Sequence, residues 1–274
     1  MPELPEVHTI AADLKKQLEK SRVIDVTIEN SYKTYPGNAA FIEGLKNAVI
    51  EKIGRVGKNI VIKIHTGSYL TFHLAMTGRI LLRTSNTTKD PWQRLEIALV
   101  RDRKTHYLRF CDMRMFGKAS LLTGREAKAL REKYGPDAVG DEISADEFLH
   151  SLKKKRTNIK NALLDQSILA GVGNIYANDA LWLAKIHPAT KTAVFTYKKV
   201  QTLLKCIQAI LKEGILHRGS TLPDEAYVDI FGQPGKHQNY FRIYGKNNCP
   251  ECKTKVVFTK INGRGTYFCP NCQK

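Results

Sequence analysis

Four cysteines near the C-terminus carry the firmest chemical signal in the chain. Cys249-Pro-Glu-Cys252 and Cys269-Pro-Asn-Cys272 are two C-x2-C pairs with sixteen residues between them. Four thiolates at this spacing close one tetrahedral structural zinc site on a β-hairpin and leave no coordination position open for catalysis. The segment from Arg242 to Lys274 is only 33 residues, too few to hold itself together by apolar burial, so the metal supplies its folding energy. The same segment carries seven Lys/Arg against one acid, Glu251. Arg264 sits between glycines in Asn262-Gly263-Arg264-Gly265-Thr266, a turn from which a guanidinium can reach between phosphates or simply face water.

The opposite end offers a different chemistry. The chain opens MPELPEV. Removal of Met1 ahead of the small Pro2 exposes a secondary amine. An α-amino group titrates near ~7.7–8.0, against ~10.4 for lysine, so a useful fraction is neutral and nucleophilic at cellular pH. Its attack on an aldehyde-level sugar carbon gives an iminium with a fixed positive charge, an electron sink that needs no further proton. Glu3 beside it can move protons. A chain that keeps Met1 has no such amine. The competing reading is that Pro2 and Pro5 only stiffen a helix start, where a missing N–H costs nothing. In the middle of the chain, Gly171-Val172-Gly173-Asn174 precedes a helical stretch. Such a turn suits close approach of an anion to a helix N-terminus, with Asn174 capping the helix, donating to a phosphate, or both.

Elements must position these groups. Val7, Ile10, Leu14 and Leu18 form one helical face directly after the opening. Stretches 23–29, 48–56, 59–64, 69–74, 80–83, 95–100 and 105–110 read as short strands, which predicts a β-sandwich or barrel. Ser144-Ala145-Asp146-Glu147 is a capping-box signature. Residues 157–165 and 174–185 read as helices, as does the run marked by Val200, Leu203, Leu204, Ile207 and Leu211. Residues 214–240 show little periodicity and many turn residues, as functional loops do. The expected division is a catalytic β-rich domain at 1–125, a linker and helical domain at 126–235, and the zinc module at 236–274. With 274 residues, two or more domains are natural.

Charge identifies the partner class. Lys+Arg is 44 and Asp+Glu is 26, a formal net charge of +18, which points to nucleic acid. No basic amphipathic helix dominates, so an anionic membrane is a poorer fit. No run approaches the ~18–20 apolar residues of a membrane span, and the start lacks a secretory pattern. A cytoplasmic, nucleoid-associated monomer is expected.

Taken in order, MPELPEV, HLAMTG at 73–78, DMRMFG at 112–117, LLDQ and AGVGNIYANDAL within 163–181, and RGTYFCPNCQ at 264–273 resemble the formamidopyrimidine-DNA glycosylase family of the Fpg/Nei superfamily. The resemblance covers essentially the whole chain. It implies an α+β multidomain protein: an N-terminal β-sandwich with a flanking helix, a helical helix–two-turn–helix domain, and a C-terminal four-cysteine zinc-finger hairpin. It implies a bifunctional DNA glycosylase/AP lyase that excises oxidised purines from double-stranded DNA lying across a cleft and then nicks the strand by β,δ-elimination. By residue, it implies Pro2 as nucleophile on C1′, Glu3 as acid/base and Lys58 as a catalytic lysine on a β-turn. Asn174 and Arg264 would pinch the phosphates around the damaged nucleotide, with Lys160 and His73 as lesser phosphate contacts. Met76, Arg114 and Phe116 would fill the space left by the flipped base, although Met76 and Phe116 taken alone read as core. Glu6, Ser220, Thr221 and Tyr240 are candidates for the damaged-base pocket. Ala75, Thr77, Met113 and Met115 depart from the commoner HLGMSG and DPRRFG forms, and Pro223-Asp224-Glu225-Ala226 departs from the usual continuation of the recognition loop.

Two other readings remain open. One is an endonuclease VIII-like enzyme preferring oxidised pyrimidines. The other is a catalytically silent zinc-finger DNA-binding protein, which would show salt-sensitive binding without strand cleavage.

Overall fold

The computed structural model describes residues 2–84, 88–224 and 226–274. It divides into two compact units, Met1–Glu132 with His217–Lys236, and Lys133–Leu216 with His237–Lys274.

The first unit is a β-sandwich. Helix α1 (Leu4–Leu18) is followed by β1 (Arg22–Ile28), α2 (Asn38–Leu45), β2 (Ile50–Val56), β3 (Asn59–Ile64), β4 (Tyr69–His73), β5 (Gly78–Arg83), β6 (Gln93–Arg101), β7 (Lys104–Asp112), β8 (Lys118–Leu122) and α3 (Gly124–Glu132). The strands form two antiparallel sheets, ordered β1-β6-β7-β5 and β2-β3-β4-β8. Their inner faces share one core, in which Ile60, Ile62, Phe72 and Ile80 are fully buried. The expected helical face is realised: Val7, Ile10, Leu14 and Leu18 are all fully buried, and α1 packs on β2 and β3. Each such side chain contributes roughly 1.5–3 kcal/mol of transfer free energy.

Residues 217–236, expected in the helical domain, pack with the sandwich instead. Tyr227 and Ile230 enter its core, Leu82 N–H donates to Ile230 O at 2.7 Å, and Lys236 N–H donates to His217 O at 2.9 Å to close the loop at its base.

The second unit contains α4 (Ala145–Lys154), α5 (Ile159–Leu164), α6 (Asn174–Leu183), α7 (Tyr197–Leu216) and the hairpin β9 (Val257–Ile261) with β10 (Arg264–Phe268). The predicted capping box starts α4: Ser144 Oγ accepts from Glu147 N–H while Glu147 reaches back to Ser144 N–H. Helices α4 and α6 pack on α7, and α6 also packs on β10. Around the cysteines the apolar core is small, comprising Trp182, Ile243, Val256 and the cysteines themselves, with Tyr267 against it.

Candidate active site and nucleic-acid interface

At the head of α1, Pro2 and Glu3 are buried. Glu3 is the N-cap, in extended conformation (φ −110°), and Pro5 occupies the first turn. Glu3 and Glu6 form a capping box, with Glu3 N–H donating to Glu6 Oε2 at 2.8 Å. The other oxygen of Glu6 accepts Ser220 N–H at 2.7 Å. One buried carboxylate thus joins the Pro2–Glu3 stretch to the 217–236 loop. Gly219 permits this contact, because it adopts φ +79° and a Cβ there would lie 2.8 Å from Glu6 Cγ. The loop is knitted further by Thr221 Oγ1 donating to Tyr227 O (2.8 Å) and accepting from Gly235 N–H (2.8 Å). Arg218 bridges Asp13 and Asp229 at 2.5 and 2.6 Å. Three of the four base-pocket candidates, Glu6, Ser220 and Thr221, therefore come together. Tyr240 belongs to the second unit, where its ring stacks on His237 with centroids 6.4 Å apart.

Lys58 follows Gly57 (φ +54°) in the two-residue turn joining β2 to β3. This is the first-position glycine that tight hairpins favour. The next residue, Asn59, pairs with His73 at the end of β4. Burial, then the charges of Lys58 and Lys118, hold the His73 imidazole below its usual pKa.

Met76, Arg114 and Phe116 form one exposed cluster. Arg114 Nη1 lies 3.5 Å from Met76 Sδ, and the guanidinium stands 4.8 Å over the Phe116 ring. Met76 and Phe116 are 45% and 56% exposed, so neither belongs to the core. Both supporting turns contain a non-glycine residue in the left-handed region, Ala75 (φ +49°) and Met115 (φ +55°). Buried Asp112 holds them: it accepts the Thr77 hydroxyl (2.5 Å), Arg114 N–H (3.2 Å) and Gly117 N–H (2.7 Å). Thr77 retains the hydroxyl of the commoner serine and uses it here. A Cβ at Gly117 would meet Phe110 at 2.6 Å and Asp112 at 3.0 Å.

In the second unit, α6 is the frame. Gly173, not Asn174, is its N-cap, and Asn174 makes no cap hydrogen bond with its side chain. Asn174 Nδ2 instead donates to Gly265 O at 3.0 Å, tying α6 to the residue after Arg264, while its buried Oδ1 has no partner among the described residues. Lys160, expected at a phosphate, is wholly buried and its ammonium donates to Asn174 O at 3.1 Å, so its charge stands behind the helix N-terminus. Arg264 is exposed and opens β10, just past the Asn262-Gly263 turn with φ +47° and +74°.

Two residues of α6 escaped the sequence reading. Asn178 donates to Asn174 O (2.8 Å) and accepts Tyr267 N–H (3.0 Å). Asp179 accepts three successive backbone N–H groups, from Arg242, Ile243 and Tyr244, each at 2.9 Å. Their only sequence trace is a pair of polar residues on an otherwise apolar helix.

The four cysteine sulfurs lie within 4.8 Å of one another, with Cys252–Cys269 at 3.4 Å and Cys249–Cys272 at 3.9 Å. Tetrahedral zinc with ~2.3 Å bonds to sulfur requires edges near ~3.8 Å, so the set fits. Trp182 Nε1–H and Cys272 N–H each donate to a cysteine sulfur at 3.4 Å, which favours the thiolate form that a metal needs.

A sandwich headed by a proline-bearing helix, a helical frame and a four-cysteine hairpin define a class of DNA-repair glycosylases, and comparison with known proteins agrees. Residues 1–119 match the formamidopyrimidine-DNA glycosylase N-terminal domain, 134–225 the H2TH domain of the same enzymes, and 248–274 the zinc finger found in FPG and IleRS. The chain belongs to the formamidopyrimidine-DNA glycosylase family. It is 35% identical to a formamidopyrimidine-DNA glycosylase of Herpetosiphon aurantiacus and 36% identical to one of Heliobacterium modesticaldum, with full coverage of both chains in each case. Among solved structures, an FPG mutant from Lactococcus lactis with Fapy-dG-containing DNA matches at TM-score 0.90 and 31% identity over the whole of both chains. The Lactococcus lactis enzyme with abasic-site DNA matches equally, over 99% of each. The same wild-type enzyme with DNA containing an oxidised pyrimidine matches at TM-score 0.89.

Proposed function

We propose that this chain is a bifunctional DNA glycosylase/AP lyase that removes oxidised purines, 8-oxoguanine and formamidopyrimidines, from double-stranded DNA. The observation that carries the reading is the head of α1, where Pro2 precedes an acid whose backbone is held by the carboxylate that also holds the 217–236 loop. The free Pro2 nitrogen attacks C1′ of a flipped nucleotide and the damaged base departs. Glu3 delivers a proton to the ring oxygen as the sugar opens. The resulting iminium acidifies C2′–H, so the 3′ phosphate leaves by β-elimination and the 5′ phosphate by a second, δ, step. Lys58, on a hairpin next to the α1 packing surface, supplies positive charge to the reacting strand.

Flipping exposes C1′ at a cost of a few kcal/mol. Asn174 and Arg264 offset it by gripping the flanking phosphates from one frame, with His73 and the charge of Lys160 in support. Met76, Arg114 and Phe116 occupy the vacated stack, Arg114 facing the orphaned base. Glu6, Ser220, Thr221 and Tyr240 contact the damaged base. One structural Zn2+ on Cys249, Cys252, Cys269 and Cys272 keeps the Arg264 hairpin folded. The enzyme acts as a monomer on chromosomal DNA, in the cytoplasm.

Borohydride trapping on an 8-oxoguanine:cytosine duplex tests this. A covalent adduct is expected with the chain lacking Met1 and not with Pro2→Leu, which keeps Met1. Trapping that persists in that variant overturns the nucleophile assignment, and binding with no adduct from either protein leaves the silent DNA-binding reading. The Lactococcus complex with an oxidised pyrimidine supports a second substrate class, so a thymine glycol duplex belongs beside the first. Faster cleavage of that duplex would favour the endonuclease VIII-like reading.

A further inference from the structure

The sandwich carries a cavity of about 590 Å³ that none of Glu6, Ser220, Thr221 or Tyr240 lines. It lies within the first unit, on the face of the β1-β6-β7-β5 sheet opposite the core. Alternation along the strands decides this: Ile80 and Leu82 of β5 point into the core, so Arg79, Leu81 and Arg83 point outward. Arg79 pairs with Cys111 of β7 and Leu81 with Arg109. Asp224, Ala226, Val228 and Gly232 of the 217–236 loop line the cavity too. The volume falls in the ~300–1,000 Å³ range of small-ligand sites.

The lining selects a ligand type. Its floor is uncharged: Leu81 is 6% exposed, and burial pushes the Cys111 thiol up to about 12. Three arginines and two aspartates line it, so charge is nearly balanced. Arg83 is already paired with Asp90 through two contacts at 2.8 and 3.2 Å. This is a poor site for a phosphate, which calls for concentrated cations. Arg79 and Arg114 offer donors, while Asp224 offers an acceptor. Flat or polarisable surface comes from Trp92 (57% exposed), Met113 (50% exposed) and Met76. Trp92 is held at φ +60°, in the left-handed region that a tryptophan seldom adopts, and its carbonyl accepts Asp112 N–H at 2.9 Å. Aromatic and thioether faces with arginine on one edge and carboxylate on another suit a neutral planar heterocycle that has both acceptors and donors. Guanine meets this pattern: O6 and N7 accept from arginine, and N1–H and N2–H₂ donate to a carboxylate.

We propose that this cavity is a second base-binding site, taking one guanine-type purine. The base comes either from the excision step, as the released product, or from bound DNA, as an unstacked base. The DNA source and the product role rest on the glycosylase reading; binding of the free base does not.

The test uses the full-length, zinc-loaded protein and its tryptophan fluorescence, Trp92 and Trp182 being the only two tryptophans. Titration with 8-oxoguanine and guanine should quench fluorescence saturably, and Trp92→Phe should remove that response. Adenine, and separately Arg79→Ala or Asp224→Asn with guanine, should bind about tenfold more weakly. An abasic-analogue duplex then separates the sources: DNA that displaces the free base marks the cavity as a site for a DNA base, and a base that still binds the protein–DNA complex marks it as a product site. No saturable quenching up to millimolar base, an equal response to adenine or inorganic phosphate, or quenching unchanged in Trp92→Phe would each overturn the proposal. Loss of borohydride trapping alone would not, since the free-base titration involves no covalent step.

Discussion

Each unit uses a buried helical carboxylate to hold a distant piece of chain, and the two do it differently. Asp179 on α6 gives all of its acceptor capacity to one segment, the three consecutive N–H groups of residues 242–244. Arg242 adds a two-pronged contact to Glu213 on α7, at 3.0 and 2.9 Å. Glu6 on α1 divides itself, one oxygen on Glu3 N–H and the other on Ser220 N–H. The first arrangement makes a fixed frame for Arg264. The second makes a coupler, because moving the loop at Ser220 disturbs the same carboxylate that orients the backbone beside Pro2. A phosphate grip gains from rigidity, whereas a site that must take in a flipped base and release it gains from a joint that can reset.

The sharpest way to break the contrast is to remove the metal. Apparent zinc affinities in finger peptides reach about 10–16 kcal/mol, far more than the small apolar cluster around Trp182 can replace. Chelation, or Cys249→Ala, should unfold residues 245–274 and abolish duplex binding, while circular dichroism of the sandwich strands persists. If DNA binding survives chelation, Arg264 is not part of the grip. Next comes Asp179→Asn. The amide would point a donor at one or more of three backbone donors inside a buried site, costing roughly 2–3 kcal/mol. Burial already pushes the Asp179 carboxyl above its ordinary pKa, against the pull of those three N–H groups. The expected signature is a lower Tm and a raised KM for lesion duplex, with kcat nearly unchanged, since the frame positions phosphates and does no chemistry.

Much of this was legible from residue types, for identifiable reasons. The α1 face and the strands from β1 to β7 announced themselves because one side of each is apolar and buried, and periodicity records that. The cysteines announced themselves because metal geometry constrains their spacing. Strand β8, α2 and α3 did not. Helix α3 buries none of its residues, and only Phe41 and Leu45 of α2 are buried, so neither leaves a clear apolar stripe. Met76 and Phe116 are the converse, large apolar residues kept in solvent by Asp112, and only motif context distinguishes them from core. Asn178 and Asp179 were invisible because a buried polar residue that satisfies distant backbone groups looks, in a helical pattern, like a solvent-facing one. The 217–236 loop was recognisable as a loop, but its attachment to the sandwich depends on Tyr227, Ile230 and the Glu6 contact, which no local pattern encodes.

Glu6→Gln sharpens the comparison from the other side. Glutamine keeps one acceptor oxygen and turns a donor toward either Glu3 N–H or Ser220 N–H, costing about 1–2 kcal/mol. Because the coupler serves a loop that meets the base, excision of 8-oxoguanine should slow by about tenfold, while cleavage of a preformed abasic site, which has no base to recognise, slows much less. Equal losses on the two substrates would mean that Glu6 serves the Pro2–Glu3 stretch alone.

The smallest effect concerns His73. Its folded-state pKa lies below the unfolded value of about 6.5, because burial and then the charges of Lys58 and Lys118 disfavour the imidazolium. The unfolded chain therefore binds the proton first. Stability on this account is full above about pH 6.5 and falls as pH drops from there through the depressed folded value, by up to about 1.4 kcal/mol per unit of depression. Lys58→Met removes one of the two opposing charges but not the burial, so the His73 titration followed by NMR should move upward without reaching the unfolded value, and the acid loss of stability should shrink. A His73 titration unmoved by Lys58→Met would mean that the Lys58 ammonium does not point toward the β4 end in solution, which would also weaken its assignment to the reacting strand.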